Sequence, residues 1–95
     1  MVVGVLSIEF HLPQAHSLKE KRGELKRAIA RIKSAYNVSV AEVGKNDLWQ
    51  SAELGITLVG NEGGFVNSCL DQVLKFVEGL RIGEIVNHQM EIIHF

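Results

Sequence analysis

Val2-Val3-Gly4-Val5-Leu6-Ser7-Ile8-Glu9-Phe10-His11-Leu12-Pro13 alternates along its length. Val2, Leu6, Ile8, Phe10 and Leu12 share one parity, and Val3, Val5, Ser7, Glu9 and His11 share the other. A period of two with one strongly apolar side is the signature of a half-buried strand. Pro13 cannot donate to a sheet ladder and ends it. The first element is therefore a strand over residues 2–12.

Beyond Pro13 the period changes. Ser17-Leu18-Lys19-Glu20 has the form of a capping box, in which the Ser hydroxyl accepts from the Glu amide and the carboxylate reaches back. Leu18, Leu25, Ile29, Ile32 and Tyr36 then recur at helical spacing as one narrow stripe. Asn37 suits the left-handed position that stops a helix. Nineteen residues would span about 28 Å.

Outward from this pair the pattern repeats with one extra strand. Val38 to Gly44 is a second strand whose apolar residues switch parity at Val43, a pattern that leaves room for a bulge. Residues 45–51 are a polar connection. Ala52 to Gly60 is a third strand, with Leu54, Ile56 and Leu58 on one side. Asn61 is expected to cap a second helix that Gly79 ends, with an apolar arc of Phe65, Val66, Cys69, Leu70, Val73, Phe76 and Val77. Residues 84–95 are a last strand, apolar on both parities.

The order is βαββαβ, an α+β plan of the ferredoxin-like kind. Right-handed crossovers put strands 1 and 3 at the centre and strands 2 and 4 at the edges of a four-stranded antiparallel sheet. Both helices then cover one face. The open face is expected to carry Val3, Val5, Ser7, Glu9, His11, Glu53, Thr57 and Val59, apolar at one end and polar at the other. Such a half-apolar face invites a second copy of the chain, so a homodimer is expected.

Ninety-five residues make one domain, spanning 1–95. Hydrophobic content of 46% argues against disorder. No apolar run approaches the roughly 18 residues that a membrane span needs. No basic segment or small-residue cleavage site marks a leader, so a cytoplasmic protein without membrane contact is expected. Cys69 is the only cysteine, which rules out an internal disulfide and fits a reducing compartment.

Charge is distributed less evenly than the net value of −1 suggests. Seven of the ten Lys and Arg residues lie between Lys19 and Lys33, opposed there only by Glu20 and Glu24. The rest of the chain is acidic. Lys19, Arg22, Lys26 and Lys33 fall along one flank of the first helix, with Ala30 in the gap, and Arg27 and Arg31 lie further round. With Lys21 they form the candidate RNA-binding set. A solvated face that confers solubility is the plainer reading. Gathered cations nonetheless point to a polyanion. Glu9 and Glu53 on the central strands argue against base stacking on the open sheet, so the helix is the expected contact, reading backbone and shape.

Other candidates carry less. Asp47, Trp49 and Gln50 lie between strands 2 and 3 and are the candidate partner contact. Trp49 is either a docking anchor or a lid packed over the end of the core, and the lid is the favoured reading. His11, His16, His88 and His94 lack ligand spacing, so no metal is expected; His88 could face Glu9 across the sheet. Cys69 reads as a buried, inert thiol. Gly60-Asn61-Glu62-Gly63-Gly64 lacks the Gly-Lys-Ser/Thr of a phosphate loop and fits a cap and turn. No nucleophile, acid pair or anion loop is spaced as a catalyst requires. The expectation is therefore no enzyme, no catalytic residue and no cofactor.

Four strings together carry a resemblance: Ser17-Leu18-Lys19-Glu20-Lys21-Arg22, Asn37-Val38-Ser39-Val40-Ala41-Glu42-Val43, Asp47-Leu48-Trp49-Gln50 and Ala52-Glu53-Leu54-Gly55. In order and spacing they resemble the YlxP-like family of short bacterial proteins. The resemblance covers nearly the whole chain and is specific through residues 17–55. Gly60-Asn61 departs from the Ser-Asp type of cap expected there. The resemblance implies a ferredoxin-like fold without an established activity. It also implies a ribosome-linked role, because the family's genes often neighbour those for translation initiation and ribosome maturation factors. The expected partner is ribosomal RNA or a ribosomal subunit.

Overall fold

In the computed structural model, which describes residues 1–95, the even-numbered side chains of the first strand are the buried ones. This strand, β1 (Val2–His11), pairs along its whole length with β3 (Ser51–Gly60) on one side and β4 (Glu84–His94) on the other. The short β2 (Ser39–Gly44) lies outside β3. The order β2-β3-β1-β4, antiparallel throughout, is the expected one. Two helices, α1 (Leu18–Ala35) and α2 (Gly63–Leu80), pack on one face and complete the ferredoxin-like fold. Neither helix is long and apolar enough to cross a membrane.

One core lies between the sheet and the helices. Leu6, Ile8 and Phe10 stand opposite Ile56, Leu54 and Ala52 in register, and Leu25, Ile32, Leu70, Val73 and Val77 cover them. Gly4 sets how close α2 comes. A Cβ there would lie 2.5 Å from Val66 Cγ1 and 2.7 Å from Leu70 Cδ1, so only glycine admits the helix at this distance.

The helix ends depart from expectation where packing outweighs local preference. Ser17 caps α1 as expected, accepting from the Glu20 amide at 3.1 Å. The Glu20 carboxylate accepts from the His16 amide at 2.8 Å, one residue before the strict box position. Asn37 does not adopt the left-handed conformation; the helix ends on an extended Tyr36, whose ring packs edge-on against Phe76 with centroids 5.5 Å apart. On α2 the cap is Glu62, not Asn61. Its carboxylate accepts from the Gly64 and Phe65 amides at 3.0 and 3.2 Å. The helix runs through Gly79 and stops at Arg81, left-handed at φ 53°, which lets Ile82 enter the core. Burial of Ile82 offsets the ~1 kcal/mol that a left-handed non-glycine residue costs.

The apolar arc of α2 is narrower than expected. Val66, Leu70, Val73 and Val77 are buried, Phe65 is exposed, and Cys69 is half-buried at the side of the arc, not inside it. Two bulges adjust the edge strands. The β2 register shifts between Glu42 and Gly44, and Val43 turns over Gly55. The β1–β4 register shifts at Glu9/Phe10 and leaves Val86 unpaired and exposed. In the register of residues 2–9, Asn87 stands opposite Glu9 and His88 opposite Ile8, so His88 does not face Glu9.

Candidate nucleic-acid interface

The direction of burial on α1 decides which cations face water. Lys21, Leu25, Ala28 and Ile32 are its buried residues, so they define the side turned to the sheet. At about 100° per residue, Lys19, Arg22, Lys26 and Lys33 fall within an arc of about 60° on the outward side, bordered by the partly buried Ile29. No acidic residue of α1 falls in that arc. Glu20 and Glu24 lie round the other flank among Arg27 and Arg31. From Lys19 to Lys33 the stripe runs about 21 Å along the axis.

All four stripe residues are exposed, and none lies within ion-pair distance of a carboxylate. Arg31 is likewise exposed and unpaired. Arg27 differs: its Nη2 donates to Glu24 Oε1 at 2.6 Å, one turn away. An exposed pair of this kind is weak and opens readily to a competing anion.

Lys21 leaves the set. It is fully buried, and its ammonium group donates to the carbonyls of Lys45, Asn46 and Ser51 at 2.9, 3.2 and 3.2 Å. Glu42 Oε2 stands 3.0 Å from the same nitrogen. The three ammonium protons are spent on carbonyls, so Glu42 meets the charge as an ion pair without a hydrogen bond of its own. A cation with no exposed surface cannot reach a phosphate. The signal for this was in the chain: positions 21, 25, 28 and 32 share one face at helical spacing, and Glu42 shares the inward parity of Val40 on β2.

Lys21 acts as a clamp on the connection between β2 and β3. Lys45 takes a left-handed turn at φ 58°, and the Leu48 amide donates back to its carbonyl at 3.1 Å. Gln50 fastens the other end. Its Nε2 donates to the Ala15 and Pro13 carbonyls at 3.2 and 3.4 Å, and its carbonyl accepts from the Leu12 amide at 2.8 Å. Gln50 is thus a structural stitch between this loop and the β1–α1 connection. Between the two fastenings Asp47 is exposed, and Leu48 and Trp49 keep 51% and 49% of their surface in water. Trp49 is therefore not a lid sunk into the core. The strings at 17–22 and 47–50, far apart in sequence, meet at one end of the molecule.

The opposite side of the sheet has the opposite character. Across β3, β1 and β4, one row is Val59, Val3 and Ile93, the next is Thr57, Val5 and Glu91, and a later one is Glu53, Glu9 and Asn87. Ser7 Oγ donates to Glu53 at 3.0 Å, and Lys45 Nζ lies 3.9 Å from Glu9. The expected gradient from apolar to polar is present. Glu9, Glu53 and Glu91 make this face acidic on balance, while the exposed cations gather on α1.

The arrangement can hold a polyanion against α1 and repel it from the sheet. The N-terminus of α2 offers no second anion site, because Glu62 occupies its free amides.

A family model described as "Protein of unknown function (DUF503)" matches residues 3–90. The uncharacterized protein YlxP of Bacillus subtilis (strain 168) is 36% identical over 77 residues, covering 81% of this chain and 84% of that one. Among solved structures, the de novo designed protein LFR1 1, with a ferredoxin fold, superposes with a TM-score of 0.50 at 17% identity, covering 98% of this chain and 83% of its own, and bears on the fold alone. With that family match over nearly its full length, and a relative of this identity across most of both chains, the chain belongs to the DUF503 family.

Proposed function

We propose that this protein is a non-enzymatic, cytoplasmic accessory protein that contacts structured RNA through α1, in ribosome maturation or translation. The observation that carries the reading is the outward, acid-free stripe of Lys19, Arg22, Lys26 and Lys33, none of them paired with a carboxylate. Phosphate neutralisation by such an array supplies affinity without base contacts. Ribosomal RNA is the first RNA to try, because of the family's gene neighbourhood. Co-sedimentation with ribosomal subunits tests it. Lys26→Glu combined with Lys33→Glu leaves folding intact and abolishes association; undiminished retention at about physiological salt refutes α1 as the contact.

A second reading, a dimeric module that binds protein or a small ligand, is favoured by one observation. The row Val59, Val3 and Ile93 on the open sheet has two of its three side chains, Val59 and Ile93, 64% and 41% exposed. In that case the sheet and Trp49 make the contact and the basic stripe serves solubility.

A further inference from the structure

The exposed Trp49 stands outside the charge pattern of α1 and is not explained by it. A tryptophan half in water leaves about half of its ring surface free for a ligand, and its loop is fastened at both ends. Lys21, buried and charged, holds the backbone before and after it, and Gln50 holds the adjoining residue to the β1–α1 connection. This pins the loop beside the opening turns of α1, where the basic stripe begins with Lys19 and Arg22. An exposed aromatic in a loop tied to the helix turn that carries unpaired cations suits a ligand whose charged backbone and flat apolar faces are joined at short range. Nucleic acid has that form.

From this juxtaposition we propose that Trp49 is the stacking platform for one unpaired RNA base, seated while the phosphates of the adjoining helix lie along Lys19, Arg22, Lys26 and Lys33. The ligand class is a stem with an unstacked base at its end or in a bulge, in preference to a continuous duplex. A duplex buries its base faces and offers Trp49 nothing to stack on. Leu48, exposed in the same loop, adds apolar surface. Asp47, exposed in the same loop, accepts from a base amino group or a 2′-hydroxyl and keeps phosphate off the loop. The inference rests on α1 being the RNA contact and adds which RNA feature is selected.

Trp49 is the chain's only tryptophan, so emission excited beyond the absorption of Tyr36 reports on this position alone. The full chain is titrated with two labelled RNAs of one stem sequence, a stem-loop and a blunt duplex. Binding is followed by anisotropy of the label and stacking by tryptophan emission. The expected result is quenching by the stem-loop and not by the duplex. Trp49→Ala, at an exposed site, is expected to weaken stem-loop binding by about tenfold and to leave duplex binding unchanged. Binding of both RNAs with unaltered emission, or equal loss for both in Trp49→Ala, overturns the stacking role while leaving α1 as the contact. Binding of neither RNA overturns the α1 reading, and the stacking role with it.

Discussion

Lys21 Nζ lies 3.0 Å from Glu42 Oε2 inside the molecule, joining the start of α1 to the edge strand β2. The same nitrogen holds two carbonyls of the β2–β3 loop and that of Ser51 at the start of β3, so one buried charge organises a helix, two strands and a loop. Removing only the cation strands a carboxylate that keeps little access to water, together with three acceptors. Lys21→Met is expected to cost about 3–5 kcal/mol in urea unfolding. Adding Glu42→Leu recovers part of that loss, because the stranded charge goes too. Strictly additive losses would show that the two side chains are not coupled.

The core is expected to respond to volume and the surface of α2 is not. Leu25→Ala opens a cavity under α1 and is expected to cost about 2–4 kcal/mol, whatever the function. Phe65→Ala, at a site 60% exposed, is expected to stay within about 0.5 kcal/mol of the parent. The midpoints of denaturant unfolding compare the two directly.

Gly4 tests how closely α2 sits on β1. Gly4→Ala places a methyl group within 3 Å of Val66 and Leu70, both buried, where neither can turn away into solvent. A loss of about 1–3 kcal/mol is expected from overpacking. A neutral result would mean that the helix shifts outward at no cost.

The open sheet makes a separate prediction. If a second copy covers the row Val59, Val3 and Ile93, the protein is a dimer by light scattering at high micromolar concentration, and Val59→Lys makes it a monomer. A monomeric parent removes the dimer and leaves the α1 proposal untouched.

The alternation of residues 2–12 and the Ser17 cap are enough to place the first two elements, because burial and capping there depend on neighbours in the chain. Crossover handedness then sets the strand order. The features that escape the sequence depend on partners distant in the chain. The stop at Arg81 rather than Gly79 is set by the burial of Ile82, and the position of His88 by the register of β4 on β1. Residue type groups Lys21 with the cations, although its helical phase puts it with Leu25 and Ile32. Its partners, Glu42 and the 45–51 loop, lie more than twenty residues away. Phase is the better guide than charge, and the same phase leaves Lys19, Arg22, Lys26 and Lys33 facing water. Trp49 escapes because local polarity does not reveal whether a loop folds inward.

The slope of RNA affinity against salt tests that outward array most directly. With four or five cations meeting phosphates, the logarithm of the binding constant is expected to fall against the logarithm of salt with a slope of about −3 to −4.5. Lys26→Ala combined with Lys33→Ala is expected to flatten it by about 1.5 to 2. A slope near zero, or one that these substitutions leave unchanged, would contradict the assignment of α1 as the surface that meets RNA.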